Sequence, residues 1–147
     1  MSAIVIDTNV LLVADGRAKQ MSPGCMSECF TRLEHVKATE QVVLDYAWFI
    51  LGEYHNRLSP GRSPTAGSAF LKWLLQVQAD VKHVSFVKIT PVNGDLTRFK
   101  EFPPDAALEA EFDPADRKFV AVANAHPEKP PILESADSKW LGWEAKL

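Results

Sequence analysis

The sequence predicts an α/β fold with a mainly parallel sheet and helices on its faces. Three observations lead there: short apolar runs rich in β-branched residues alternate with longer stretches of helical periodicity, Pro, Gly and Ser gather between them, and the first two apolar runs each stop at an aspartate. Ala3 to Ile6 is a continuous apolar run closed by Asp7, as expected of a central strand buried on both faces. Ser22-Pro23 has the chemistry of a helix start, and Met26, Cys29, Phe30, Leu33 and Val36 follow at helical spacing. Val42 to Leu44 is the second strand, closed by Asp45. Ala47, Ile50, Leu51, Tyr54 and Leu58 then share one helical face.

The stretch Asn56 to Pro64, NRLSPGRSP, reads as an exposed loop. Ser63-Pro64 opens another helix, in which Phe70, Leu71, Leu74, Leu75 and Gln78 lie on one side. Val84 to Ile89 alternates like a strand, whereas PVNGDLTRFKEFPPD after it reads as mostly irregular. Asp113-Pro114-Ala115-Asp116 matches an N-cap, a first-turn proline and a capping-box acid, with Phe119, Val120 and Ala123 continuing the helix. Pro131 to Leu133 is the last strand. A single domain spanning 1–147 is expected, because 147 residues is close to the commonest domain size and no internal repeat is visible.

Composition excludes several classes. Hydrophobic residues at 46% and charged residues at 24% are ordinary globular values, against disorder or a fibrous chain. The net charge of -3 lacks the basic excess of many nucleic-acid binders. Cys25 and Cys29 are too few for a disulfide scaffold, and Cys25, Cys29 and His35 supply only three ligands for zinc. The apolar run Tyr46 to Leu51 is far short of a membrane span, and MSAIVIDTNV has no basic n-region, so a cytoplasmic protein is expected. No G-x-x-x-x-G-K-[ST], G-x-G-x-x-G or G-x-S-x-G occurs, and Asn9 stands where a haloacid-dehalogenase-type phosphatase needs an aspartate; nucleotide switch, phosphatase and acyl hydrolase are therefore disfavoured.

In parallel α/β sheets ligands bind beyond the carboxyl ends of the strands, and here those places hold acids. Asp7 ends the first strand, Glu53 lies two turns into the helix after the second, Asp116 opens the helix before the last strand, and Asp137 follows that strand. Carboxylates crowded together repel, so they call for protons or cations. Hard oxygen donors without His or Cys select Mg2+ or Mn2+, ions that polarise a phosphodiester and activate water for in-line attack. Each acid also has a structural reading: Asp7 as a helix cap, Glu53 paired with Arg57 four residues on, Asp116 in its capping box, and Asp137 as a turn residue. Asp45 and Asp113 read foremost as caps.

IVIDTNVLL at the amino end, VVLDYAWFILGEY, FDPADRKFVAVA and ILESADSKW together resemble the PIN-domain nucleases, VapC-type toxins included. The match of acid order and spacing runs from Asp7 to Asp137. The resemblance implies a three-layer α/β/α fold with a parallel sheet, Mg2+ or Mn2+ in the crevice, and endoribonuclease cleavage of single-stranded RNA leaving a 3′ hydroxyl and a 5′ phosphate. It implies Asp7, Glu53, Asp116 and Asp137 as metal-binding catalytic acids, with Asn9 and Asp113 supporting them, a homodimer, and the toxin role of a toxin-antitoxin system with a protein antitoxin as partner. The chain departs from the commonest pattern at Asp45, where a small hydroxyl residue is usual, and Glu53 follows its strand later than usual. Arg17, Arg57, Arg117, Lys118 and Lys139 lie near the acids in sequence and are candidate phosphate contacts, and Trp48, Trp140 and Trp143 candidate base-stacking residues. The alternative is a PIN-like binding or interaction module with weak or no nuclease activity.

Overall fold

The computed structural model describes residues 2–16, 23–58, 65–103 and 113–134. In chain order these form β1 (Ser2–Ile6), α1 (Thr8–Ala14), α2 (Pro23–Thr39), β2 (Glu40–Asp45), α3 (Phe49–Leu58), α4 (Ala66–Val77), β3 (Val84–Val87), β4 (Pro91–Val92), β5 (Asp95–Phe99), a 3-10 turn (Pro114–Asp116), α5 (Arg117–Ala125) and β6 (Ile132–Leu133). Four strands make one sheet in the order β3-β2-β1-β6, every neighbouring pair parallel. The architecture is α/β with a parallel sheet and is compatible with three α/β/α layers.

The two central strands are buried as their composition demands. Ile4, Val5 and Ile6 of β1 and Val42, Val43 and Leu44 of β2 are essentially inaccessible to water, so the sheet carries apolar residues on both faces. Helix α1, absent from the strand and helix pattern read in the sequence, follows Asp7 at once and buries Val10, Leu11, Leu12 and Val13. Its seven residues are too few to show a helical period clearly. At Gly67 a Cβ would lie 2.1 Å from the carbonyl oxygen of Leu11, so only glycine lets α4 approach α1 this closely.

Helix α4 is held by packing and by a cap from another element. Phe70, Leu71 and Leu74 are fully buried, each contributing about 2 kcal/mol. Thr65, the N-cap residue, makes no side-chain capping bond. Asp15, just past α1, takes that role: its Oδ1 accepts the N–H groups of Gly67 (2.5 Å) and Ser68 (3.0 Å). Along α2, Cys29, Leu33 and Val36 are buried as their spacing predicts, while Met26 and Phe30 remain 37% and 48% exposed.

The segment after β3 is more regular than its sequence suggested. Asn93 and Gly94, at φ 51° and 76°, form the turn of an antiparallel β4-β5 hairpin. Asn-Gly is the favoured pair for a turn with two left-handed residues, but the exposed, charged β5 hides the usual alternation. Cys25 and Cys29 are not disulfide-bonded. His35 contacts Glu40 and Thr39. Among the described residues no helix is long and apolar enough to cross a membrane.

Candidate functional site

The strand order reverses at β1: β2 and β3 continue to one side, while the chain returns to place β6 on the other. Such a reversal opens a crevice beyond the carboxyl ends of the two strands that flank it. The pairing of Ile6 with Leu133, with the Asp7 N–H donating to the Leu133 carbonyl at 2.9 Å, brings Asp7 and Glu134 out of neighbouring strands together.

Asp7 is 3% exposed and occupies the N-cap position of α1, with extended backbone. A cap is expected to accept a hydrogen bond from the first turn. The Asn9 N–H does lie toward the carboxyl, but no geometrically complete capping bond forms. Burial pushes the carboxyl up from 3.8 to about 7, and the negative charges of Asp116, Glu53 and, least, Glu134 push in the same direction, against the opposing pull of the Asn9 amide. Three acids, from α3, the 3-10 turn and the end of β6, thus act electrostatically on Asp7 at the end of β1.

Glu53 reaches the crevice because α3 is aimed there. Asp45, fully buried, accepts the N–H groups of Phe49 (2.8 Å, Oδ2) and Ile50 (2.9 Å, Oδ1), fixing the first turn of α3 as the cap its position predicted. About one turn later, Glu53 Oε2 accepts the hydroxyl of Thr8 and Oε1 accepts Lys118 Nζ at 2.7 Å. Tyr54 beside it donates its hydroxyl to the carbonyl of Ile6, tying α3 to the residue before Asp7. Burial, then the charges of Asp7, Glu53 and Asp45, hold that phenol well above its ordinary range, so it stays a neutral donor.

Asp116 is half-buried at the end of the 3-10 turn, where its N–H donates to the carbonyl of Asp113 at 2.9 Å. Asp113 sits at the N-cap of that turn and Pro114 at its start, as the motif predicts. The side-chain half of the capping box is absent among the described residues: neither acid makes a capping bond to the helix backbone. Lys118 also donates to the Ala115 carbonyl, and Arg117 Nη1 to the Thr97 carbonyl at 3.2 Å, so both cations are engaged with the protein. Arg57 is exposed, and Glu53 pairs with Lys118 rather than with it. Asp137, Arg17, Lys139, Trp140 and Trp143 lie outside the described residues.

The structure therefore brings together Asp7, Glu53 and Asp116, with the Asn9 amide beside Asp7. Sequence reasoning missed Glu134, Thr8 and Tyr54. For Glu134 the signal was present, an acid directly following the last apolar strand, but Asp137 three residues on drew the assignment. A cavity of about 270 Å³, lined in part by Val10, Cys29, Arg32 and Glu134, adjoins the end of β6.

The donor chemistry of Asp7, Glu53, Asp116 and Glu134 is all hard oxygen, which fits Mg2+ or Mn2+, and the neighbouring carboxylates add to burial in pushing Asp7 upward. Among the described residues no group of three or more His, Cys, Asp or Glu side chains is placed to hold an ion as it stands. Glu53, with both oxygens engaged by Thr8 and Lys118, would have to give up a partner to join. Compared with models of known families, with curated proteins and with solved structures, the chain matches none.

Proposed function

We propose that this protein is a divalent-metal-dependent endoribonuclease of the PIN type, hydrolysing phosphodiester bonds of single-stranded RNA. The observation that supports this most is the buried Asp7 at the sheet's switch point, whose carboxyl is pushed up by burial and then by the charges of Asp116, Glu53 and Glu134. Asp7, Asp116 and Glu134 would hold Mg2+ or Mn2+, joined by Glu53 on release from Lys118. A bound ion supplies polarisation of the phosphate and a more acidic water. The protein's own groups orient and balance charge: the Asn9 N–H and the Tyr54-anchored Ile6 carbonyl fix the backbone around Asp7, and Lys118 offsets the charge of Glu53. Lys118 would also meet a phosphate once Glu53 turns away. By the same resemblance the proposal extends to a cytoplasmic homodimer acting as the toxin of a toxin-antitoxin pair, with a protein antitoxin as its partner.

The direct test is cleavage of an end-labelled single-stranded RNA with Mn2+. The wild-type chain should cut it, leaving a 3′ hydroxyl, and Asp7→Asn should be slower by about 100-fold or more. Cleavage that survives in Asp7→Asn would contradict the assignment. One observation favours a second reading, a binding module with weak catalysis: Glu53 is neutralised internally by Lys118. That reading predicts RNA binding without metal-dependent cleavage.

A further inference from the structure

Beside the acidic crevice the chain exposes aromatic rings that folding alone would bury. Between β2 and α3, residues 45–48 form a turn closed by the Trp48 N–H on the Asp45 carbonyl (3.3 Å). Tyr46 in this turn is 68% exposed and Trp48 is 43% exposed. The Tyr46 ring is stacked on Phe86 of β3, with centroids 5.6 Å apart and planes 22° from parallel. Trp48 has φ 64°, a left-handed conformation strained for a bulky residue and concentrated in proteins at functional places. Lys88, exposed, follows β3, and the pairing of Asp45 with Val87 places it next to Tyr46.

We propose that Tyr46, Trp48 and Phe86, with Lys88 beside them, form a stacking platform for the unpaired bases of a single-stranded nucleic acid entering the crevice. This rests on the nuclease reading and adds to it how the strand is held. Three features choose this occupant. The platform lies at the carboxyl ends of β2 and β3, continuous with the edge that carries Asp7. Trp48 immediately precedes α3, the helix that carries Glu53. Rings interleaved with a cation suit a strand whose bases stack while its phosphates meet Lys88; a duplex, with its bases already stacked, gains nothing from the rings.

The test uses the full chain in EDTA, so that binding is read without cleavage. Anisotropy of a fluorescein-labelled uridine 12-mer reports single-strand binding, and a duplex of equal length is the control. Tyr46→Ala and Trp48→Gly should each weaken single-strand binding about 5-fold or more, with duplex binding unchanged. Glycine suits the left-handed backbone at 48, so Trp48→Gly removes the ring without adding backbone strain. Tyr46→Phe, which keeps the ring, should bind like wild type, and Lys88→Ala should reduce the salt dependence by about one ion contact. Unchanged binding in both ring variants, or Tyr46→Phe as weak as Tyr46→Ala, overturns the platform; so does the absence of any single-strand binding by wild type, as expected of a surface built for a protein. If Asp7-dependent cleavage is seen while the ring variants bind normally, the platform falls alone. If the ring variants lose binding but wild type never cleaves with Mn2+, the platform stands and the nuclease reading falls.

Discussion

Asp7→Asn tests the electrostatic character of the crevice without any substrate. In the folded protein the Asp7 carboxyl takes up its proton near pH 7, against 3.8 for an unperturbed aspartate. The native state thus binds the extra proton between these values. Folding stability from this group is fully retained below about pH 4 and lost as pH rises through about 7. The interval corresponds to about 4 kcal/mol of destabilisation once Asp7 is ionised. Asparagine keeps the size and removes the charge, so in EDTA at pH 8 the variant should be more stable by about 2–4 kcal/mol, with part of the full value lost to relaxation. At about 3 °C per kcal/mol for a chain of this length, melting should rise by roughly 6–12 °C at pH 8 and be unchanged at pH 4. Calorimetry or circular dichroism melts across that range read the effect. Added Mn2+ should raise the melting temperature of wild type, by about 2.7 kcal/mol equivalent at 100 times the dissociation constant, and leave the variant unmoved. A uniform loss of about 1 kcal/mol at every pH, with or without metal, would instead make Asp7 a helix cap and refute the reasoning.

Two further substitutions separate the parts of the site. Lys118→Met removes the cation 2.7 Å from Glu53, between side chains 12% and 21% exposed, and should cost the metal-free protein about 1–2 kcal/mol in urea unfolding while shifting Mn2+-induced stabilisation to lower metal concentration. A weaker response to Mn2+ would make Lys118 a supporting part of the metal site rather than its competitor. Asp45→Ala deletes both backbone bonds that cap α3 at a fully buried position and should cost about 2–4 kcal/mol by the same measurement, yet preserve the melting shift with Mn2+. Loss of that shift in a folded variant would place Asp45 among the ion-binding acids.

The sheet was legible because its information is local. Ala3–Ile6 and Val42–Leu44 carry unbroken apolar runs rich in β-branched residues, as strands buried on both faces do, and each ends in an aspartate whose place follows from the strand's end. Asp45 as a cap was equally local, since its partners lie four and five residues on. What escaped is non-local or short. Lys118 meets Glu53 across 65 positions, and in sequence Arg57 at i+4 was the nearer partner. Glu134 was signalled by its place directly after the last strand, but its meeting with Asp7 depends on the two-residue pairing of β6 with β1. The β4-β5 hairpin carried its Asn93-Gly94 signal between flanks too polar to alternate. The exposure of Tyr46 and Trp48 inverted the usual expectation that aromatic residues near a helix start enter the core.

The charge of the whole chain, -3, argued against nucleic acid, and its distribution argues otherwise: part of it sits in carboxylates that cations would neutralise, next to rings and a lysine suited to a single strand. The central claim is that these acids cut RNA when a divalent ion is present. Purified wild type and Asp7→Asn incubated with an end-labelled single-stranded RNA, with Mn2+ or with EDTA, test it most directly. Cleavage by wild type in Mn2+ alone, abolished in the variant, is the predicted result; equal cleavage by both proteins, or none by wild type at saturating Mn2+, would contradict it.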